Sequence, residues 1–154
     1  MKRFLFLFLI SIISTTLFSQ TNKTFSDSNF NKGDIIRVPN LDIELLNREK
    51  DVKNDSLEAL VDFLQKHSNL KFELACHTDS RGNLAGNQQS SQYRADGILK
   101  YLIKYKNINP DMITAKGYGE TKLLIQDPVI ANAKTKEEKE KLHLINRRIE
   151  LIVK

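Results

Sequence analysis

Between Leu70 and Thr78 the residues alternate between two faces, and just afterwards the chain changes period. Phe72, Leu74, Cys76 and Thr78 fall on one face of the run, and Lys71, Glu73, Ala75 and His77 on the other. Two-residue alternation is the signature of a strand. The stretch Asp79 to Gly86 carries two glycines and reads as a loop. A helix then runs from about Asn87 to Lys106, with Ala95, Ile98, Leu99, Leu102 and Ile103 as its buried stripe. A strand, a tight loop and a helix in this order demand a layered fold, with helices laid on a sheet.

The flanking segments repeat the theme. Ile35 to Val38 and Leu41 to Leu45 are short apolar runs around Pro39, and they read as a first, irregular strand. A helix opens at Asp55 or Ser56, where Asp55 and Glu58 resemble a capping box, and Leu57, Leu60, Val61 and Leu64 keep helical spacing. His67-Ser68-Asn69 ends it. Met112 to Tyr118 reads as a strand that leaves through Gly117-Tyr118-Gly119. A long connection follows, with a charged, helix-prone run from Lys134 to Leu144, and Arg147 to Val153 alternates again. The expected fold class is α+β. It is a two-layer sandwich in βαβαβ(α)β order, with helices packed on one face of a mixed four-stranded sheet.

The N-terminus has a different character. Lys2 and Arg3 precede an apolar stretch from Phe4 to Ile13, with small and polar residues after it. This is the layout of a signal peptide, expected over residues 1–19 with Ser19 before the cleavage point. The stretch is short for a permanent span, and no cysteine lies near that point to carry a lipid. Residues 20–33 are polar and aperiodic and read as a flexible leader. The domain proper is expected over 34–154, enough for one core. Cys76 is the only cysteine, so no internal disulfide can help.

Asp79 and Arg94 are the first candidates for chemistry. Asp79 stands at the carboxyl end of a strand, where open sheets commonly place ligand groups. Asn87 and Arg94 are seven apart and share a helical face, with Ser91 on or near it. An aspartate accepts hydrogen bonds from an ammonium, and an arginine grips a carboxylate with two parallel bonds. The pair could therefore hold a free amino-acid centre. It could equally be a structural salt bridge, and spacing does not decide between the two.

Other chemistries find less support. Cys76 and His77 are adjacent on a strand and point to opposite faces, so they cannot act as nucleophile and base. No catalytic constellation is evident, and a hydrolase using His77 and Asp79 would lack paired carboxylates or a metal. His67, His77 and His143 show no ligand spacing, so no metal or other cofactor is expected. A net charge of +5 suits an anionic polymer or surface. Nucleic acid is not implied, because basic and aromatic residues do not interleave. The run Lys134 to Lys141 reads as a solvated helix face. Of Arg147 and Arg148, neighbours on an expected strand, one can point toward the site while the other meets solvent.

The ordered set His77-Thr78-Asp79, Gly82, Asn87, Ser91, Arg94-Ala95, Tyr101-Leu102, Gly117-Tyr118-Gly119-Glu120 and Asn146-Arg147-Arg148-Ile149-Glu150 resembles the OmpA-like peptidoglycan-binding domain. The likeness covers roughly 33–154. It departs from the family pattern at Cys76, where glycine is usual, at Ser90, where leucine is usual, and around Leu123, where a proline often stands. The resemblance implies non-enzymatic binding of peptidoglycan through the diaminopimelate group of its stem peptide. Asp79 would take the ammonium and Arg94 the carboxylate, with Thr78 and Asn87 supporting the pocket and Arg147 as a weaker carry-over. It also implies a place in the periplasm, at the cell wall or outer membrane. A second expectation is an envelope protein–protein interaction module of the same fold. An outer-membrane protein would be the partner, and the loop 121–145 the place to look.

Overall fold

The computed structural model describes residues 22–39, 41 and 54–154. The expected signal peptide and the stretch 42–45 of the first strand lie outside the described residues. The elements are β1 (Asn22–Lys23), β2 (Ile35–Val38), α1 (Asp55–Lys66), β3 (Phe72–His77), α2 (Leu84–Lys106), β4 (Ile113–Gly119), α3 (Asp127–Ala131), α4 (Lys136–Asn146) and β5 (Ile149–Val153). A 3₁₀ turn, Pro110–Met112, precedes β4.

The sheet is mixed, as expected, but has five strands, in the order β1-β2-β5-β3-β4. The extra strand lies within residues 20–33, the segment read above as a leader. Asn22 and Lys23 pair in parallel with Ile35 and Ile36. Phe25 and Phe30 pack on Phe63, with ring centroids 5.1 and 5.2 Å away. Two phenylalanines among polar residues carry no period, yet burying them offsets the entropy of ordering the segment.

Register explains where the site can form. β3 is central. It pairs in parallel with β4, Phe72 opposite Ile113, and antiparallel with β5, Phe72 opposite Val153. The exits of β3 and β4 and the entry to β5 therefore meet at one edge of the sheet. Asp79, Glu120 and Arg147 each lie just beyond one of those strand ends.

The core lies between the sheet and α1 and α2. Phe72, Leu74 and Cys76 of β3, Leu151 of β5, Leu57, Leu60 and Leu64 of α1, and Ile98, Tyr101 and Leu102 of α2 are all buried. Tyr101 takes the place the stripe gave to Ile103. Asn54, rather than Asp55, caps α1 by accepting from the Leu57 amide at 3.0 Å. A capping box does occur elsewhere, at Thr135 and Glu138 of α4. Asn83 caps α2, so that helix starts three residues before Asn87. Its far end stops at Asn107, in the left-handed conformation that asparagine tolerates.

The opposite face of β3 is closed by polar groups. Glu73 accepts from Tyr118 Oη at 2.6 Å and from Lys154 Nζ at 2.7 Å. Beside it, His77 is buried and Tyr118 stacks on its ring at 5.2 Å. Its Nε2 lies 3.2 Å from Glu150 Oε2, although neither ring nitrogen makes an aligned hydrogen bond among the described residues. Burial pushes His77 toward its neutral form, and Arg148 and Lys122 add to that against Glu150. Glu150 also binds Arg148 Nε at 2.6 Å. Burial raises the Glu150 carboxyl, but the Arg148 guanidinium on it outweighs burial and holds it well below the usual carboxylate range. Arg148 is thus buried rather than turned to solvent. Strand β5 begins only at Ile149, and Arg147 is the C-terminal cap of α4. The connection before α4 contains the short helix α3, unmarked by any period. The buried Asn146 side chain accepts from the amides of Leu124 and Ile125, at 2.8 and 2.9 Å, and donates to Ile125 O at 2.8 Å.

Among the described residues no helix is long and apolar enough to cross a membrane.

Candidate functional site

The site is assembled around the turn that follows β3. The Thr78 amide donates to Gly119 O at 2.9 Å, which ties the exits of β3 and β4. The next side chain, Asp79, turns inward and is almost wholly buried. It accepts from the Arg81 backbone amide at 3.0 Å, an Asx turn that fixes the loop. Gly82 follows with φ of +103°. Asn87 then anchors this loop. Its Nδ2 donates to Asp79 O and Arg81 O, at 3.2 and 3.1 Å, and contacts Glu120.

Helix α2 lies unusually close to β4, because two glycines permit it. A Cβ on Gly117 would stand 2.2 Å from the Gln92 amide nitrogen. In the space left, the Gly117 amide donates to Gln92 Oε1 at 2.8 Å and the Gly119 amide to Ser91 Oγ at 2.8 Å. Gly119, with φ of +52°, completes the turn. This contact sets the height of Arg94 relative to the end of β3.

Arg94 is half-buried and donates through Nη1 to His77 O at 3.3 Å. It makes no ion pair with Asp79, so a structural salt bridge between the two is excluded. Thr78, which stands between His77 and Asp79 in the chain, is buried, and its Oγ1 has no hydrogen-bond partner among the described residues. A carboxylate, a hydroxyl and a guanidinium therefore line one strand end. Arg94 keeps donors that His77 O does not use.

The charges that do meet Asp79 are Arg81 and Arg147. Arg81 Nη2 is 2.7 Å from Oδ2, and its Nε is 3.2 Å from both oxygens. Arg147 Nη1 is 2.5 Å from Oδ2. Both arginines also bind Glu140 on α4, Arg81 at 2.9 Å and Arg147 at 2.5 Å. Burial pushes the Asp79 carboxyl up, but the Arg81 side chain and amide together with Arg147 outweigh it and hold it at about 2. Asp79 is thus ionised throughout the neutral range. His143 stands at the rim, with Nδ1 3.9 Å from Asp79 Oδ2.

The structure therefore brings Asp79, Thr78, Arg94, Asn87 and Arg147 to one edge. Asn87 acts there as a strut of the loop. Arg81, Glu140 and His143 were missed. Arg81 offered one signal, an arginine two residues after the aspartate. Glu140 and His143 offered none, since they lie on a helix about sixty residues away. A separate concavity of about 560 Å³ is lined by Arg37, Lys122, Arg148 and Ile152, among others, and does not include Asp79 or Arg94. No group of three or more His, Cys, Asp or Glu among the described residues is placed to hold a metal.

Comparison with known proteins finds relatives in sequence and in fold. The OmpA family model matches residues 50–141. Outer membrane porin F of Pseudomonas fluorescens is 41% identical over 103 residues, which are 67% of this chain and 27% of that protein. The peptidoglycan-associated lipoprotein of Buchnera aphidicola is 34% identical over 123 residues, covering 71% of this chain and 68% of the relative. In fold, the solved structure of a MotB-like protein from Desulfovibrio vulgaris superposes with a TM-score of 0.54 at 23% identity, over 82% of this chain and 76% of that one. The architecture is thus that of an OmpA-like domain. The chain belongs to the OmpA family.

Proposed function

We propose that the domain binds peptidoglycan without enzymatic turnover, through the diaminopimelate group of the stem peptide. The side chain of that residue ends in one carbon bearing an ammonium and a carboxylate. Asp79 accepts from the ammonium. Arg94 donates to the carboxylate, and Thr78 Oγ1 supplies a further hydrogen bond between them. Asn87 holds the loop, and Arg147 holds Asp79 in place. The observation that carries this reading is the presence, at one strand end, of an ionised Asp79, an Arg94 with spare donors and a Thr78 hydroxyl without a partner among the described residues. The relative named as a peptidoglycan-associated lipoprotein supports it. A chain with this role works in the periplasm, at the wall or the outer membrane.

Three exposed apolar side chains, Leu124, Val129 and Leu144, favour a second role for the segment 121–145 in binding an outer-membrane protein.

The experiment is a titration with muropeptides that carry diaminopimelate or lysine. Lysine lacks the second carboxylate and should bind less well. Asp79→Asn and Arg94→Ala should each weaken the diaminopimelate complex by about 2–5 kcal/mol, the scale for truncating one side of a buried charge pair. Arg94→Lys should weaken it too, because an ammonium cannot form the planar fork. Folded variants that bind as tightly as the parent would refute the assignment.

A further inference from the structure

Resting on the reading of Asp79 as the ammonium-binding group, we propose that Arg81 is a built-in competitor. It occupies the place of the ligand's cation on Asp79, and so sets the affinity of the site and its demand for a cationic ligand.

Four observations carry this. First, Arg81 lies across Asp79 as a fork, with Nε near both oxygens and Nη2 on Oδ2. An ammonium seeking the same lone pairs must displace it. Second, Arg81 is on the solvent side. Its side chain is 52% exposed, against 7% for Asp79 and 28% for Arg147. A ligand arriving from water meets Arg81 first, the more exposed of the two arginines on the carboxylate. Third, a second carboxylate is already in place. Arg81 Nη1 holds Glu140 at 2.9 Å, so the guanidinium can let go of Asp79 and remain paired. Fourth, the backbone of Arg81 does not need to move. Its amide is held by Asp79 and its carbonyl by Asn87. Exchange is then a rotamer change of one exposed side chain, a fast event.

Asp79 stays in position during the exchange, because the Arg81 amide and Arg147 continue to hold Oδ1 and Oδ2. One cation leaves as one arrives, so no unpaired buried charge is created. A ligand that brings no cation to Asp79 has nothing to offer in return and leaves Arg81 where it is.

The test is calorimetric titration of the full chain with free meso-diaminopimelate. Arg81→Ala should bind about three- to tenfold more tightly than the parent, the scale expected when a half-exposed ion pair need no longer be broken. In the parent, the Arg81 Nε–H resonance should shift on saturation as the Asp79 contact is lost. Circular dichroism checks that the variant is folded. Asp79→Asn and Arg94→Ala serve as references. If those two weaken binding while Arg81→Ala weakens it or leaves it unchanged, the competitor role is wrong and the site assignment stands. An Arg81 resonance unmoved at saturation overturns the role in the same way. If Asp79→Asn and Arg94→Ala bind as the parent does, the site assignment fails and the competitor role fails with it.

Discussion

Asp79 should make the fold acid-sensitive in a way that one substitution isolates. Its carboxyl drops from an ordinary value of 3.8 to about 2. Burial opposes the drop, and the Arg81 and Arg147 contacts more than reverse it. The folded state therefore prefers the carboxylate by about 2 kcal/mol over the unfolded chain. Arg81 is half exposed, so water screens its share, and a measured value between about 1 and 2 kcal/mol is expected. Because the folded value is depressed, this stability is present above about pH 4. It is lost as pH falls toward 2. Asp79→Asn keeps the shape and removes the charge. Urea denaturation of parent and variant, from neutral pH down to about pH 2.5, should give a gap of that size at neutrality which narrows steadily below about pH 4. Added salt at about 1 M should narrow it as well. A gap that stays constant across the acid range would show that the penalty comes from geometry rather than charge. Equal stabilities at neutral pH would show that desolvation consumes the whole Coulombic gain.

Gly117→Ala should destabilise the domain by roughly 3 kcal/mol or more, at the top of the overpacking range. The added methyl would meet backbone atoms of Gln92 at 2.2 and 2.6 Å, and backbone cannot step aside as a flexible side chain can; an unchanged urea midpoint would refute it. Cys76 should label slowly in the native protein and rapidly once unfolded. It is fully buried and its thiol is pushed up to about 12, chiefly by burial; fast native labelling with a maleimide would count against this.

The parts of the fold that sequence reveals are those written in local period. The run Leu70 to Thr78 alternates because β3 faces a core on one side and a closed polar layer on the other, and that strand is found within two residues of its expected ends. Helix α2 announces itself by its stripe. Gly117-Tyr118-Gly119 reads as a strand exit, but only the structure gives the reason, which is the approach of Gln92 and Ser91. What could not be read is everything decided by contacts distant in sequence. The short β1 forms because Phe25 and Phe30 find Phe63. Arg147 and Arg148 look like strand neighbours pointing in and out. The first instead caps a helix and the second pairs with Glu150 inside the sheet layer. The stretch Asp127 to Ala131 is too short to show a period.

The site divides along the same line. Asp79, Thr78 and Arg94 are placed by β3, its loop and the helix that follows, all within one unit of contiguous chain, so sequence could nominate them together. Glu140 depends on where α4 returns, and that is fixed by the antiparallel register of β5 against β3, with Asn146 pinning the connection. A site built this way has two layers of control. The contiguous unit supplies the groups for gripping an ammonium and a carboxylate. The returning helix supplies Glu140, which takes hold of the arginine that would otherwise have only Asp79 to bind. Changes in the connection 121–145 could therefore tune the affinity of the site through Glu140 without touching Asp79, Thr78 or Arg94.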